Sequence, residues 1–512
     1  MIAKINSAIL NGLIVIMAEI EVGFSRGIPG ITIVGLPDNA VNESKERIKF
    51  AIKNSGFEYP VGVKTVINLS PADVKKEGSS LDLPIAMGII MKKNSVDSDQ
   101  FKDYLFFGEL NLEGKLKPVK GVLNYSIAAK QHGFKGIVVP YENGNEASHV
   151  KGIEVFALKD LSEIGKFIFN KDQIERFCPT KNRAKINTKF HNTDFNEVKG
   201  QYLAKRALEI AAAGSHNLLM IGPPGSGKSM MAKALPSILP TMTEAEILET
   251  SLIYSSAGLL NNKMGLISDR PHRSPHHTIS DVGMSGGGRF PIPGEISLAH
   301  NGVLFLDELP HFKKTALEVL RQPLEDGEIS ISRSLSTYTF PARFMLLAAM
   351  NTCEDSMGIK SSEFEGCSEA QKRRYYSRIS KPLLDRIDLQ IEVNKVKLDE
   401  ITSNILSDSS EIIRQRVMAA RDIQISRFEK MKKNIFANGQ MGNREIKKFC
   451  LIDSNTEKIL KTAVEKLDLS TRSYFKILKI ARTIADLKNS ENIGVSDIQE
   501  ALSYRSANIF KL

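Results

Sequence analysis

Cysteine is scarce in this chain: four residues, Cys178, Cys353, Cys367 and Cys450, are spread over 512 positions. That is no disulfide framework, and it favours a reducing cytoplasm as the setting. Long apolar runs are missing as well, so no transmembrane span is expected. Residues 8–18 have the composition of a signal-peptide core, but Asn11-Gly12 interrupts them and Glu19 and Glu21 follow at alternating spacing. Asn-Gly between two alternating runs reads as a hairpin turn, so the segment is expected to be folded and retained. No DNA-reading module is recognisable, and the net charge of +10 permits a polyanionic partner without selecting one. With 42% hydrophobic residues a chain of this length can bury several cores, which points to three domains.

What is present centres on Gly222-Pro223-Pro224-Gly225-Ser226-Gly227-Lys228-Ser229, directly after the apolar run Leu218-Leu219-Met220-Ile221. A buried strand delivering the chain to glycines that let backbone N–H groups approach phosphate, followed by a helix start, is a phosphate-binding loop. Lys228 would reach the β- and γ-phosphates and Ser229 would ligate magnesium, so ATP with Mg2+ is the expected cofactor. About eighty residues later, Val303-Leu304-Phe305-Leu306-Asp307-Glu308 reads as a Walker B strand. Asp307 would hold the magnesium and Glu308 would orient the attacking water.

The N-terminal residues read as a hairpin, a strand at 31–34, a helix capped by Asp38 and ending before Gly56, strands at 63–69 and 137–140, and a helix at 126–132. This is a compact α+β domain. Over roughly 60–140 the order of motifs is similar to the proteolytic domain of Lon proteases. Lys76-Glu77-Gly78-Ser79-Ser80 resembles the segment bearing their nucleophilic serine, which falls on Ser80, and Pro118-Val119-Lys120-Gly121-Val122-Leu123 resembles the segment bearing their general-base lysine, whose position is Leu123. Leucine cannot take a proton, so a protease-shaped module without peptidase chemistry is expected.

Four further stretches resemble parts of AAA+ ATPases. Val198, Gly200 and Gln201, ahead of an alanine-rich helix, resemble the segment bordering the adenine; a plain helix entry is the alternative. Asn351 ends the apolar run 344–350, where these proteins carry a polar sensor. Pro382-Leu383-Leu384-Asp385-Arg386-Ile387-Asp388 resembles the segment bearing an arginine finger, which would make Arg386 act in a neighbouring subunit's site; a solvated basic helix is the bland account. Leu469-Ser470-Thr471-Arg472-Ser473, within C-terminal segments of helical period, resembles a second sensor with Arg472 contacting the γ-phosphate.

The stretches Arg270-Pro271-His272-Arg273-Ser274-Pro275-His276-His277-Thr278 and Pro293-Gly294-Glu295-Ile296-Ser297-Leu298-Ala299-His300 closely resemble the ComM/YifB group of magnesium-chelatase-like ATPases, and the match runs essentially the whole chain. The resemblance implies an α/β fold: a P-loop AAA+ parallel-sheet core at 196–395 and a C-terminal helical lid at 396–512. These follow a Lon-protease-like (S5-like) α+β domain at 1–165 and a polar linker at 166–195. It implies a hexameric, DNA-remodelling motor that promotes branch migration during natural transformation. The alternative is a magnesium-chelatase-type or chaperone-like assembly ATPase acting on a protein partner.

The histidines invite a metal, but the prolines make their stretch an irregular loop with no acidic or cysteine partner at ligand spacing. Members of the group often carry further cysteines after the sensor strand, plausible ligands for structural zinc. Here Cys353, Asp355, Glu365 and Cys367 replace two thiolates by carboxylates, so structural zinc is not expected. Finally, residues 329–333, introduced by Asp326-Gly327-Glu328, and 337–343 alternate on both sides of Ser334-Leu335-Ser336 and read as a hairpin. In the resembling clade a hairpin here faces the central pore, which makes Arg333 the candidate DNA contact; packing between subunits is the competing account.

Overall fold

A computed structural model of the chain describes residues 2–76, 78–170, 174–178, 193–260, 265–288, 291–332, 337–356, 367–396, 408–429, 431, 435–467 and 469–505. The hairpin strands Ala3–Asn11 and Ile14–Ser25 pair antiparallel, with Asn11 opposite Ile14. The turn is therefore Gly12-Leu13, one residue later than the expected Asn11-Gly12. Gly12, at φ 67°, takes the left-handed corner that its missing Cβ permits. Strand Lys64–Ser70 adds antiparallel to the second hairpin strand, and Gly30–Val34 completes a four-stranded sheet parallel to it. Asp38 caps helix Asn39–Asn54 by accepting from Val41 N at 2.8 Å, and Val41, Ile48, Ala51 and Ile52 face the core as their spacing requires. Strands Tyr104–Phe106, Gly136–Pro140 and Glu154–Leu158 form a second, parallel sheet.

Helix Leu161–Phe169 continues this packing with Leu161, Ile164, Phe167 and Ile168 buried. Phe177 N donates to Val155 O at 2.7 Å. The N-terminal unit thus extends past the expected boundary at 165. Most of the expected linker, 171–173 and 179–192, lies outside the described residues.

A five-stranded parallel sheet follows, in the order His272–Arg273, Val303–Leu306, Met345–Met350, Leu218–Ile221, Leu389–Glu392. Leu218–Ile221, Val303–Leu306 and Met345–Met350 are buried throughout, which is why they read as unbroken apolar runs, whereas the edge strand Leu389–Glu392 buries only Leu389 and Ile391. The strand carrying the phosphate-binding loop lies between the fourth and fifth strands of the sheet in chain order, a topological switch point that opens a crevice at the strands' carboxyl ends.

Helices Ser410–Glu429, Asn443–Phe449, Ser454–Lys466, Thr471–Leu487 and Val495–Ser503 cover one face of the sheet, sharing a core with helix Tyr202–Gly214. Ile477, Ile480 and Ile484 of the fourth helix are fully buried, each contributing ~1.5–3 kcal/mol of transfer free energy. Ser470 caps that helix through Ser473 N, as expected. The last helix opens earlier than its expected Ser496 cap: Asp497 accepts from Gly494 N at 2.9 Å, making glycine the entry residue.

The N-terminal unit is joined to the parallel-sheet unit by polar and apolar contacts. Ser255, on helix Glu244–Ala257, donates to buried Glu146 at 2.5 Å and accepts from Gly121 N at 3.0 Å. Gly12 sits against Tyr338 and Phe340, and Leu13 packs into the core beneath them.

Candidate nucleotide site

Three neighbouring parallel strands end at one place. The loop after Leu218–Ile221 begins at Gly222, where any Cβ would run into the Val393 carbonyl oxygen. Gly225 and Gly227 take φ 76° and 92°, and the space over their Cα atoms is open. Lys228 folds back over the loop: its ammonium donates to Gly222 O at 2.7 Å, to Pro223 O at 2.8 Å and to Asn351 Oδ1 at 3.1 Å. Burial pulls its pKa below the ordinary lysine value, while Asp307 and Asp355 oppose the shift. From the end of Val303–Leu306, one strand beyond Met345–Met350, Asp307 Oδ2 accepts from Ser229 Oγ at 2.7 Å. The expected residues Lys228, Ser229, Asp307 and Asn351 are thus brought together from three strands.

A hydroxyl and a carboxylate in contact are hard oxygen donors of the kind Mg2+ takes, and a lysine over open glycines suits phosphate, so the residues fit Mg-ATP. Pro224 and Ser226 complete the loop. Gln201 Nε2 donates to Ser226 O at 3.1 Å and to Asn394 O at 2.5 Å, tying the expected adenine-side segment to the loop. Gly200 and Gln201 are consecutively left-handed, at φ 59° and 55°. Val198 is buried, and its carbonyl accepts from Lys205.

Glu308 is also left-handed, at φ 53°, an uncommon state for a residue with a Cβ that turns its carboxylate out of the strand. His277 Nδ1 lies 3.7 Å from Glu308 Oε2, a proximity the sequence did not signal. Tyr375 was also missed: its hydroxyl donates to Asn351 O at 3.1 Å and accepts from Ser356 Oγ, fixing the sensor's backbone.

The two arginines lie elsewhere. Asn217, at the start of the loop's own strand, donates to Arg386 O at 3.1 Å. A four-residue strand spans ~13 Å, so the Arg386 backbone sits that far down the sheet from the loop. Arg472 does not join Lys228 but meets Arg386: one carboxylate, Glu325, pairs with both, Oε1 to Arg472 Nη2 at 2.6 Å and Oε2 to Arg386 Nη2. Arg333 and the tip 334–336 lie outside the described residues, though the hairpin strands Glu328–Ser332 and Thr337–Pro341 pair as expected.

Family models for magnesium chelatase match residues 20–143 and 194–401 (subunit ChlI) and 407–505 (subunit ChlI, C-terminal). The chain is 40% identical to the competence protein ComM of Haemophilus influenzae, covering 96% of this chain and 94% of the relative. It belongs to the ComM/YifB family of magnesium-chelatase-like AAA+ ATPases. YifB of Escherichia coli, an uncharacterised protein, is 41% identical over 95% of this chain and 94% of its own length. Lon protease 2 of Bacillus subtilis is 27% identical over 30% of this chain and 32% of the relative.

The family's signature stretches form a scaffold beside the site. Arg270 pairs with Glu246 at 2.9 Å, Arg273 makes a two-pronged pair with Glu295 at 2.6 and 2.7 Å, and His300 meets Glu249 at 3.1 Å while accepting from Arg343 N. These bonds fix the irregular chain around the Walker B strand. Two cysteines depart from expectation: Cys353 and Cys367 form a disulfide with Cα atoms 6.5 Å apart, because the short helix Cys353–Ser356 and the chain entering the Ser368-capped helix Glu369–Tyr376 bring both into one core. Among the described residues no three His, Cys, Asp or Glu side chains gather as metal ligands; Glu365 lies outside them.

In the Lon-like segment, buried Leu123 occupies the base position, its N–H donating to Glu146 Oε1 at 3.0 Å. Ser80 is hydrogen-bonded to the phenol of Tyr125, which burial pushes up to about 12. So acidic-resistant a phenol is no general base at neutral pH.

Proposed function

We propose that this chain hydrolyses ATP as the subunit of a ring, a hexamer by family resemblance, and uses the energy to move branched DNA during recombination or natural transformation. The observation that carries the ATPase reading is the convergence of Lys228, Ser229, Asp307 and Asn351 at the ends of three parallel strands. Magnesium held by Ser229 and Asp307 would supply charge neutralisation between the phosphates. Lys228 holds the phosphate oxygens, Asn351 and Glu308 orient the attacking water, and Glu308 draws on its proton. Val198, Gly200 and Gln201 border the base.

Arg386 and Arg472 belong, on this reading, to the neighbour's nucleotide. Their support is placement: Arg386 is anchored at the far end of the strand from its own loop, and Arg472 meets it through the shared carboxylate of Glu325. Arg386 stabilises charge on the transferring phosphoryl group, and Arg472 contacts the γ-phosphate from the C-terminal lid.

The DNA step has three supports: the name of the ComM relative, the net charge of +10, and the paired hairpin strands on either side of the candidate contact Arg333. No helix among the described residues is long and apolar enough to cross a membrane, and the proposed setting is the cytoplasm. Peptidase activity is excluded from the proposal by Leu123 and by a phenol, not an amine, beside Ser80. ATPase rate measured with branched, single-stranded and duplex DNA across a salt series tests the reading. Stimulation by branched DNA that weakens with salt supports it. Turnover indifferent to every DNA, with no DNA bound, would sink the DNA step and favour an assembly ATPase acting on protein.

A further inference from the structure

Glu325 occupies an unusual position. It lies on the short helix Pro323–Asp326, which leads through left-handed Gly327 directly into the hairpin strand Glu328–Ser332. Its two carboxylate oxygens are divided between two arginines distant in sequence, Arg386 and Arg472. Among the described residues the Arg386 guanidinium otherwise donates only to Pro382 O, at 2.8 Å, and its Nε is buried without a partner. A guanidinium so placed has spare donors facing a single anion. The hydrogen bond from Arg386, helped by the nearby charge of Arg472, holds the Glu325 carboxyl below the usual range, so it is ionised at neutral pH. About half of the Glu325 side chain and of the Arg472 side chain is exposed to solvent, while Arg386 is largely buried, so another anion reaches this cluster from the side of Glu325 and Arg472.

We propose that Glu325 is a positioning residue that stands in for the neighbour's γ-phosphate: it holds Arg386 and Arg472 together in the lone subunit and gives them up when a nucleotide-bearing copy docks. The inference rests on the reading that these arginines serve a neighbour. Carboxylate and phosphate compete for the same planar donors, and phosphate, with more oxygens and more charge, displaces a half-exposed carboxylate. Because Glu325 is three residues ahead of the hairpin strand, displacement of the hairpin by a bound polymer pulls on the same carboxylate. The latch therefore links what occupies the hairpin to how readily the arginines leave.

Glu325→Gln in the full chain tests this. Exposed ion pairs of this kind are weak, so removing both should lower the protein concentration of half-maximal ATPase turnover by about three- to tenfold. Binding of a fluorescent ATP analogue to dilute, unassembled protein should not change, because the latch does not touch the Lys228 site. The double variant Glu325→Gln/Arg386→Ala should lose the gain. Unchanged or raised half-maximal concentration with an unchanged melting temperature overturns the proposal, as does a gain that survives in the double variant. If the glutamine variant melts early, Glu325→Asp decides: its shorter carboxylate should give a smaller gain, and none overturns the latch. Arg386→Ala and Arg472→Ala separate the two failures. Wild-type turnover in both removes the underlying reading, whereas reduced turnover in them without any gain in the Glu325 variants removes the latch alone.

Discussion

Lys228 Nζ and Asn351 Oδ1 lie 3.1 Å apart across two adjacent strands, so the cation of the phosphate-binding loop and the polar end of the sensor strand form one unit. The lysine is held by carbonyls and an amide, none of which neutralises it. Lys228→Ala should therefore lower ATP turnover by at least ~100-fold, the scale of losing a fixed charge from a phosphoryl-transfer site. Steady-state phosphate release checks this, and near-normal turnover would dissolve the site assignment.

Glu308 follows Asp307 and donates its N–H to Asp307 Oδ1 at 2.9 Å, while its side chain takes no part in the Ser229–Asp307 contact. Glu308→Gln keeps the shape but not the base. Nucleotide affinity should stay within about twofold while turnover drops ~10²–10⁴-fold. Equilibrium binding and single-turnover hydrolysis separate the two quantities; weakened binding with unaltered chemistry would contradict the role.

That Lys228, Ser229 and Asp307 would lie at the ends of buried strands was legible in the sequence, because each follows an unbroken apolar run. Asp38 and Ser470 were legible for a similar reason: capping is local. What could not be read is whatever depends on distant chain meeting. Glu325 is an ordinary surface glutamate until the fold sets it between Arg386 and Arg472, and Tyr375 sat in a basic run that gave no sign of the Asn351 carbonyl. The Cys353–Cys367 pair was hidden likewise, since sparse cysteines suggest no framework while a shared core can still join two. The first domain's end was misjudged although Leu161, Ile164, Phe167 and Ile168 carry helical spacing, because the polar residues after them dominated the reading.

Acid should destabilise the junction between the sheet and the C-terminal helices through His216. This imidazole is fully buried, accepts or donates to Thr483 Oγ1 at 2.8 Å, and is pushed by burial down to about 4, with Asp388 opposing the shift. As its folded pKa lies below the free value, the unfolded chain binds the proton first, and stability contributed by the neutral ring is lost as pH falls from about 6.5 towards 4. By pH 5 the loss is about 2 kcal/mol. Melting temperatures between pH 7 and 5 should fall more steeply in wild type than in His216→Gln; parallel slopes would remove His216 from the account.

The remaining expectation concerns action between subunits. Arg386 is anchored by Asn217 at the end of the sheet away from Lys228, and its guanidinium is turned to Glu325, so loss of its side chain should spare nucleotide binding. Arg386→Ala should lower turnover instead, because a guanidinium that meets the phosphoryl group only as charge develops acts on the transition state more than on the bound substrate. Mixing makes the direction of action measurable. Arg386→Ala subunits keep an intact loop, and Lys228→Ala subunits keep an intact arginine; each alone turns over more slowly than wild type. Co-assembled in one ring, they create interfaces where a working loop of the first faces a working arginine of the second, and turnover should recover to a fraction set by the mixing ratio. Co-assembly followed by labelled-subunit exchange, with no turnover recovered at any ratio, would mean that Arg386 serves the subunit it belongs to.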